Sequence, residues 1–247
     1  MTAAPAFDFH CHSLCSDGAL SPQALIELAA ERGLQQLAIT DHDTTAAYTR
    51  QLSDQATDAQ ITLVSGCELS CLWQRRSIHV VGLNIDLAHP VFVKAMGEQA
   101  QARDRRAEKI TAVLQRMGFS LELAHIQRIA GDGVVGRPHF AEYLVRTNQM
   151  PSMAAAFKRA LGAGKPGDIK AEWPALETVV GWISAAGGVA VVAHPLKYKI
   201  TLTKLRNLLT TFVEVGGQGM EVITGHQESN QTRTLADLAQ RFELAAS

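Results

Sequence analysis

At 247 residues, with 47% hydrophobic and 19% charged side chains, the chain can bury a full core and fits one barrel-sized domain with a modest insertion. Lys plus Arg (23) against Asp plus Glu (24) leaves a net charge of −1, which excludes a global basic field for nucleic acid and favours local phosphate capture. The N-terminus MTAAPAFDFH lacks a basic region followed by an apolar one, and no apolar run approaches the ~20 residues of a membrane span. A cytoplasmic protein with no membrane contact and no stable protein partner is the expectation.

Residues 6–10 alternate into a first strand that ends at His10-Cys11-His12. Ser21 and Pro22 open a helix that Gly33 stops. Residues 34–40 (LQQLAIT) make a second strand leading into Asp41-His42-Asp43, and Thr44 is placed to cap a helix over 45–59. ITLVSG (61–66) and SIHVVGL (77–83) add two strands, and the alternation of short apolar runs with helical segments argues for parallel βα units. From about residue 91 to 161 the pattern is helical almost throughout, which reads as an insertion over 91–165, a common place for a binding lid. A helix over 173–186, the strand GGVAVVAHP, a helix over 203–215, the strand GMEVIT and a helix ending at Phe242 resume the earlier rhythm. Residues 244–247 look like the start of a seventh strand.

Several residues at the ends of these strands are of metal-binding type, since imidazole nitrogen and carboxylate oxygen suit Zn²⁺, Mn²⁺ and Fe. His10 and His12 lie two apart, so they face the same way and can grip one ion. Asp17, in Ser16-Asp17-Gly18, reads by itself as a turn residue. His42 ends a strand, although its triplet also suits a helix cap. Glu68 follows an apolar run, and its two oxygens could bridge ions about 3.5–4 Å apart. His79 is a ligand or a core histidine, and His194 ends the most hydrophobic strand, where an unpaired polar group would be costly. His89, His125 and His226 read as solvent-facing. Cys11, Cys15, Cys67 and Cys71 form two CxxxC pairs, for which a thiolate zinc site or disulfides are disfavoured.

Arg103 and Arg106 are three apart on one helix face and Arg137 begins a helix, so these are the cations expected to hold phosphoryl oxygens. The alternative for Arg103 and Arg106 is the solvated face of QARDRRAEK. His139 is a phosphate contact or a helix-face residue.

The order His10-x-His12, Ser16-Asp17-Gly18, Ile39-Thr40-Asp41-His42-Asp43, Gly66-Cys67-Glu68-Leu69-Ser70, His79, Gly136-Arg137-Pro138-His139 and Ala193-His194-Pro195 resembles the PHP family, named for polymerase and histidinol phosphatase. It is most similar to the bacterial subgroup of nucleoside 3′,5′-bisphosphate phosphatases and 5′→3′ exoribonucleases. The resemblance implies an α/β fold, a distorted (β/α)7 barrel built from 1–90 and 166–247, with two to three divalent ions, Mn²⁺ first and Fe²⁺ or Zn²⁺ as alternatives. By matching position, His10 and His12 would hold one ion, Glu68 would bridge to a second held by His79 and His194, and Asp17 with His42 would hold a third. The implied reaction is hydrolysis of a nucleotide phosphate ester, or of the 5′ end of a short RNA, by a hydroxide between two ions, with Asp17 or His194 moving the proton. Family members carry a further Gly-Ser-Asp-Phe-His-like motif after the last helix, where this chain reads Ala245-Ala246-Ser247 and its last βα unit is incomplete. By that comparison the His10/His12 and Asp17/His42 positions are each one ligand short. Two other readings stay open: a phosphatase of another small ester such as histidinol phosphate, and a non-catalytic scaffold binding nucleotides or partners.

Overall fold

The computed structural model describes residues 6–170, 172–225 and 227–247, so the expectation for His226 falls outside it. Its strands form two sheets. Strands β1 (Phe7–Cys11), β2 (Gln36–Ile39) and β3 (Thr62–Leu63) pair in parallel in that order. Helix α1 (Pro22–Glu31) is capped as expected, with Ala24 N–H donating to Ser21 Oγ. Helix α2 (Arg50–Asp58) starts later than expected, because its cap is Thr49 and not Thr44. Residues before it are needed as a loop that sends Tyr48 inward, where its hydroxyl donates to Val64 O and accepts from Ile39 N–H, tying β2 to the end of β3.

The second sheet runs β4 (Gly66–Trp73), β5 (Arg76–Leu83), β6 (Val189–Val192), β7 (Gly219–Met220) and β8 (Ala245–Ala246). Strand β4 is absent from the sequence reading, and its pairing with β5 and that of β5 with β6 are antiparallel where parallel units were expected. Cys67, Leu69, Cys71 and Trp73 alternate with Glu68 and Ser70 along β4, the period-two pattern of a strand with one face in the core. Gln74 and Arg75, with φ of 47° and 63°, supply the two left-handed residues that a tight two-residue hairpin needs. The remaining pairs, β6 with β7 and β7 with β8, are parallel, and β8 lies where a seventh strand was expected to begin. The sheets meet at a parallel bridge between His42 and Glu68, and among the described residues the strands do not close into a barrel.

Helices α7 (Leu176–Ala185), α8 (Leu202–Glu214) and α9 (Ser229–Arg241) cover the larger sheet. Leu69, Ile78, Val80, Ile183, Val192, Phe212 and Leu235 form the core between them. The helical stretch comprises α3 (Pro90–Arg116), α4 (Leu123–Ala130), α5 (Arg137–Arg146) and α6 (Met153–Ala156), which runs on as a π-helical turn over Phe157–Leu161. It has a core of its own, with Ile110, Leu114, Ile126, Phe140 and Leu144 fully buried. No described helix is long and apolar enough to cross a membrane.

Candidate metal centre

The ends of β1, β2 and β6 and the β4–β5 hairpin deliver the polar side chains to one cleft of about 1070 Å³. His10 sits near the end of β1 and His12 just beyond it. Asp17 follows in a tight loop, closed by Gly18 N–H donating to Ser13 O. Gly18 is required there, because a Cβ would fall 2.1 Å from the carbonyl oxygen of His12. Buried Asp41 holds the same loop from below, accepting hydrogen bonds from the backbone and hydroxyl of Ser13 and the hydroxyl of Ser16. Asp17, a turn residue by sequence alone, is thereby carried to 3.5 Å from His12 Nδ1 and 3.8 Å from His42 Nε2.

Glu68 is the hub. It is 1% exposed, and five imidazoles reach its two oxygens. Oε2 is 3.1 Å from His10 Nε2, His12 Nε2 and His42 Nδ1, while Oε1 is 2.9 Å from His79 Nδ1 and 2.7 Å from His194 Nε2. One carboxylate cannot satisfy five imidazoles, since its four lone-pair sites would need all of them to donate. His10 Nε2 and His12 Nε2 face each other at 3.2 Å, which requires a bare lone pair on at least one. His42 Nδ1, Glu68 Oε2 and His194 Nδ1 are buried without any hydrogen-bond partner. Unpaired buried polar atoms are expensive in a folded protein, and a cation among these nitrogens and oxygens would satisfy them.

The charge states agree with that fit. Burial opposes the charge on Glu68, but His42 and His79, with His10 and His12 beside them, hold its carboxyl well below the usual carboxylate range. Burial keeps His42 and His194 below the usual histidine value, so both hold a lone pair at neutral pH, the state in which imidazole binds metal. His10 differs: burial again works against its charge, yet its hydrogen bond to Glu221 and the carboxylate of Glu68 beside it push it up to about 10. Three groups of side chains present ligand atoms within 4.8 Å of one another: His10 with His12 and Glu68, His12 with Asp17 and His42, and His42 with Glu68 and His79. His194 joins the last through Glu68 Oε1.

Sequence reasoning missed two supporting residues. Glu221, 5% exposed after β7, accepts from His10 Nδ1 and from the backbone N–H of His194. It fixes His10 with Nδ1 protonated and Nε2 turned to the cleft, as carboxylates do for metal-binding histidines. The lone acid inside the apolar run GMEVIT was the signal for it. Tyr198 is the second: its hydroxyl donates to the carbonyl of Ala193 and accepts from the N–H of His79, joining the two segments that bear His79 and His194. Glu221→Gln should weaken metal binding roughly 10–100-fold with the fold retained. Titration of the metal-free protein with Mn²⁺ by calorimetry checks this, and an unchanged affinity would contradict it.

The basic residues are placed differently from expectation. Arg103 is 7% exposed and pairs with Asp43, with Nη2 at 2.7 Å and Nε at 2.8 Å from Oδ2, while Nη1 donates to Val135 O. Arg106 donates to Ile169 O and stacks on Trp173. Neither lines the cleft, and neither is on a solvated face. His139 is also committed elsewhere: its Nδ1 accepts from Gly136 N–H and caps α5. Arg137 does line the cleft, held by Leu161 O and by Asp168 at 3.2 Å, and Lys170 reaches the same carboxylate at 2.9 Å. Asp43 and Thr44 do not cap α2. His89 and His125, expected in solvent, are half-buried, and His125 Nδ1 bonds Tyr143 Oη at 2.9 Å. All four cysteines are free thiols, Cys67 and Cys71 in one core and Cys11 and Cys15 against another.

Residues 8–159 match the PHP domain. A 5′-3′ exoribonuclease of Haemophilus influenzae is 40% identical over 241 residues, which cover 98% of this chain and 87% of that protein. A 3′,5′-nucleoside bisphosphate phosphatase of Chromobacterium violaceum is 36% identical over 241 residues, 97% of this chain and 84% of that protein. Among solved structures, an amidohydrolase from Chromobacterium violaceum with bound sulfate and no metal gives a TM-score of 0.89 at 36% identity, over 97% of this chain and 84% of its own. With the histidine and glutamate cluster in place and the match spanning the chain, this protein belongs to the PHP family.

Proposed function

We propose that this chain is a metal-dependent phosphoesterase that hydrolyses the 3′-phosphate of a nucleoside 3′,5′-bisphosphate or the 5′ end of a short RNA. The observation that supports this above others is the convergence of five imidazoles on Glu68, with buried atoms left unpaired at the floor of the cleft. His10, His12 and Glu68 form the first ion position, Glu68, His79 and His194 the second, and Asp17 with His42 the third. Mn²⁺ suits this mixed imidazole and carboxylate set. When bound, such ions neutralise phosphoryl oxygens and make water acidic enough to ionise near neutral pH.

The chain's own side chains supply the rest. Arg137 and Lys170 present positive charge at the cleft wall for a phosphate, while Arg103 and Arg106 stand away from it, held by Asp43 and by Ile169 O. Asp17, half-buried beside His12 and His42, would take a proton from the attacking water on its free oxygen and return it to the leaving alkoxide. Glu221 and Tyr198 keep the histidines aimed. Residues 91–165 act as a substrate lid on a metallohydrolase unit made from 1–90 and 166–247, and the two sheets represent a distorted (β/α)7 barrel joined at His42 and Glu68. A cytoplasmic site of action is part of this reading.

The test is Mn²⁺-dependent phosphate release from adenosine 3′,5′-bisphosphate, from a short 5′-phosphorylated RNA and from histidinol phosphate, beside His194→Ala. Release from the first two, lost in the variant by roughly 10²-fold or more, is expected. Turnover confined to histidinol phosphate would move the substrate class. Stoichiometric metal with no turnover would make the protein a scaffold.

A further inference from the structure

We propose that Arg76 and Lys197 form a phosphate-binding edge that guides the backbone of single-stranded RNA away from the metal centre. Mononucleotide and RNA then share one hydrolytic centre but differ in the cations they need. The inference rests on the phosphoesterase reading above.

Four cations line the cleft: Arg76, Arg137, Lys170 and Lys197. Two of them share one counter-charge, since Arg137 and Lys170 both reach Asp168. Arg76 and Lys197 differ, for among the described residues neither has a carboxylate within 4.0 Å. Two unneutralised cations on a cleft wall, in a chain of net charge −1, make a local attraction for a polyanion.

Their placement follows from two of the histidines at the centre. Strand β5 leads outward from His79 through Ser77 to Arg76, a run of roughly 10 Å at about 3.3 Å per residue. Lys197 lies in the short 3₁₀ turn Pro195–Tyr198 directly after His194, and its N–H donates to His194 O at 2.9 Å. Left-handed residues bound that turn on both sides, His194 with φ of 30° and Lys199 with φ of 51°. The Tyr198 hydroxyl fastens it to the backbone of His79 and Ala193. Lys197 is thus carried on backbone pinned beside His194, while Arg76 stands at the tip of the β4–β5 hairpin opposite Trp73, five residues along from the Val81 that faces Glu68.

A nucleoside bisphosphate is spent on the centre and on Arg137 and Lys170. Only a ligand that continues beyond its first nucleotide meets a second pair of cations along the wall. A guanidinium and an ammonium in such a place bind phosphate oxygens whatever the base, which suits a backbone drawn in end first.

The test compares the parent with Arg76→Gln, Lys197→Gln and the double variant. Substrates are adenosine 3′,5′-bisphosphate and a short 5′-phosphorylated single-stranded RNA, each assayed over a KCl series with Mn²⁺. In the double variant kcat/KM on RNA should fall roughly tenfold, mainly through KM, and its logarithmic salt slope should flatten by about 0.7 for each cation removed. Release from the bisphosphate should stay within about twofold, and Arg76→Lys should recover most of the RNA activity. Equal losses on both substrates, or an unchanged RNA salt slope, would overturn the proposal. Binding of the same RNA in EDTA, followed by fluorescence anisotropy, reads the edge without turnover. A parent that hydrolyses nothing but loses RNA affinity and salt slope on double substitution would sink the phosphoesterase reading alone, whereas equal slopes in that assay would sink the edge.

Discussion

Glu68→Gln should remove metal binding and turnover together, lowering activity by roughly 10³-fold or more, since losing even an outer partner of a metal ligand costs 10–100-fold. Glu68 is the residue whose oxygens lie within 3.1 Å of all five imidazoles, so on the proposed reading its charge would serve the first and second ion positions at once. The substitution keeps size and shape. Its amide N–H can donate to the lone pair of His42, while the remaining oxygen still accepts from His79 and His194. The metal-free fold should therefore survive with a small change in Tm. Metal content after dialysis, measured by plasma mass spectrometry beside activity and a thermal melt in EDTA, separates the two effects. Retention of two or more ions with less than about a tenfold loss of kcat would disprove the bridging role.

The second large effect is on stability and comes from a residue that the sequence placed in a helix cap. Asp43 is left-handed, with φ of 52°, and 2% exposed. Its Oδ1 accepts from Ser70 N–H at 2.6 Å and Gln99 Nε2 at 3.0 Å, and its Oδ2 takes Arg103 in two bonds. Through these contacts helix α3 is locked to the loop bearing His42 and to the strand bearing Glu68. Breaking a buried pair from one side leaves an unpaired charge, so Asp43→Ala and Arg103→Ala should each cost about 3–5 kcal/mol. For a chain of this size that lowers Tm by roughly 10 °C. The double variant should lose markedly less than the sum, because neither charge is then stranded. Denaturant titration of all four proteins gives the coupling directly. Additive losses would mean that the pair does not act as a unit, and single losses under about 1 kcal/mol would mean that the site is hydrated.

The same residues explain how far the sequence could be read. His10, His12, His42, His79, Glu68 and His194 were legible because each stands at or beside a short apolar run, and period-two alternation assigns such residues to one face. Helices α1 and α3 were legible for a similar reason, with Pro at their first positions and long periodic runs behind them. Strand β4 went unread although Cys67, Leu69, Cys71 and Trp73 alternate with Glu68 and Ser70 along it, the period-two pattern of a half-buried strand. The antiparallel hairpin went unread with it, because Gln74 and Arg75 adopt left-handed backbone without the glycine or asparagine that usually marks such a turn.

Amino-acid order alone thus determined the candidate metal-binding side chains, the helical stretch after Pro90 and the family motifs, all of which are local patterns. Only tertiary structure decided what the charged residues do. Arg103 and Arg106 look alike on one helix face and both lie over Trp173, yet packing turns one to Asp43 and the other to Ile169 O. Glu221 becomes a partner of His10 across 211 positions of sequence. Asp17 changes from a turn residue to a neighbour of His12 and His42 because Asp41 and Gly18 shape its loop. Side-chain type sets which partners are chemically allowed. Which one is met depends on distances between segments far apart in the chain, and those exist only once the two sheets and the helices have packed.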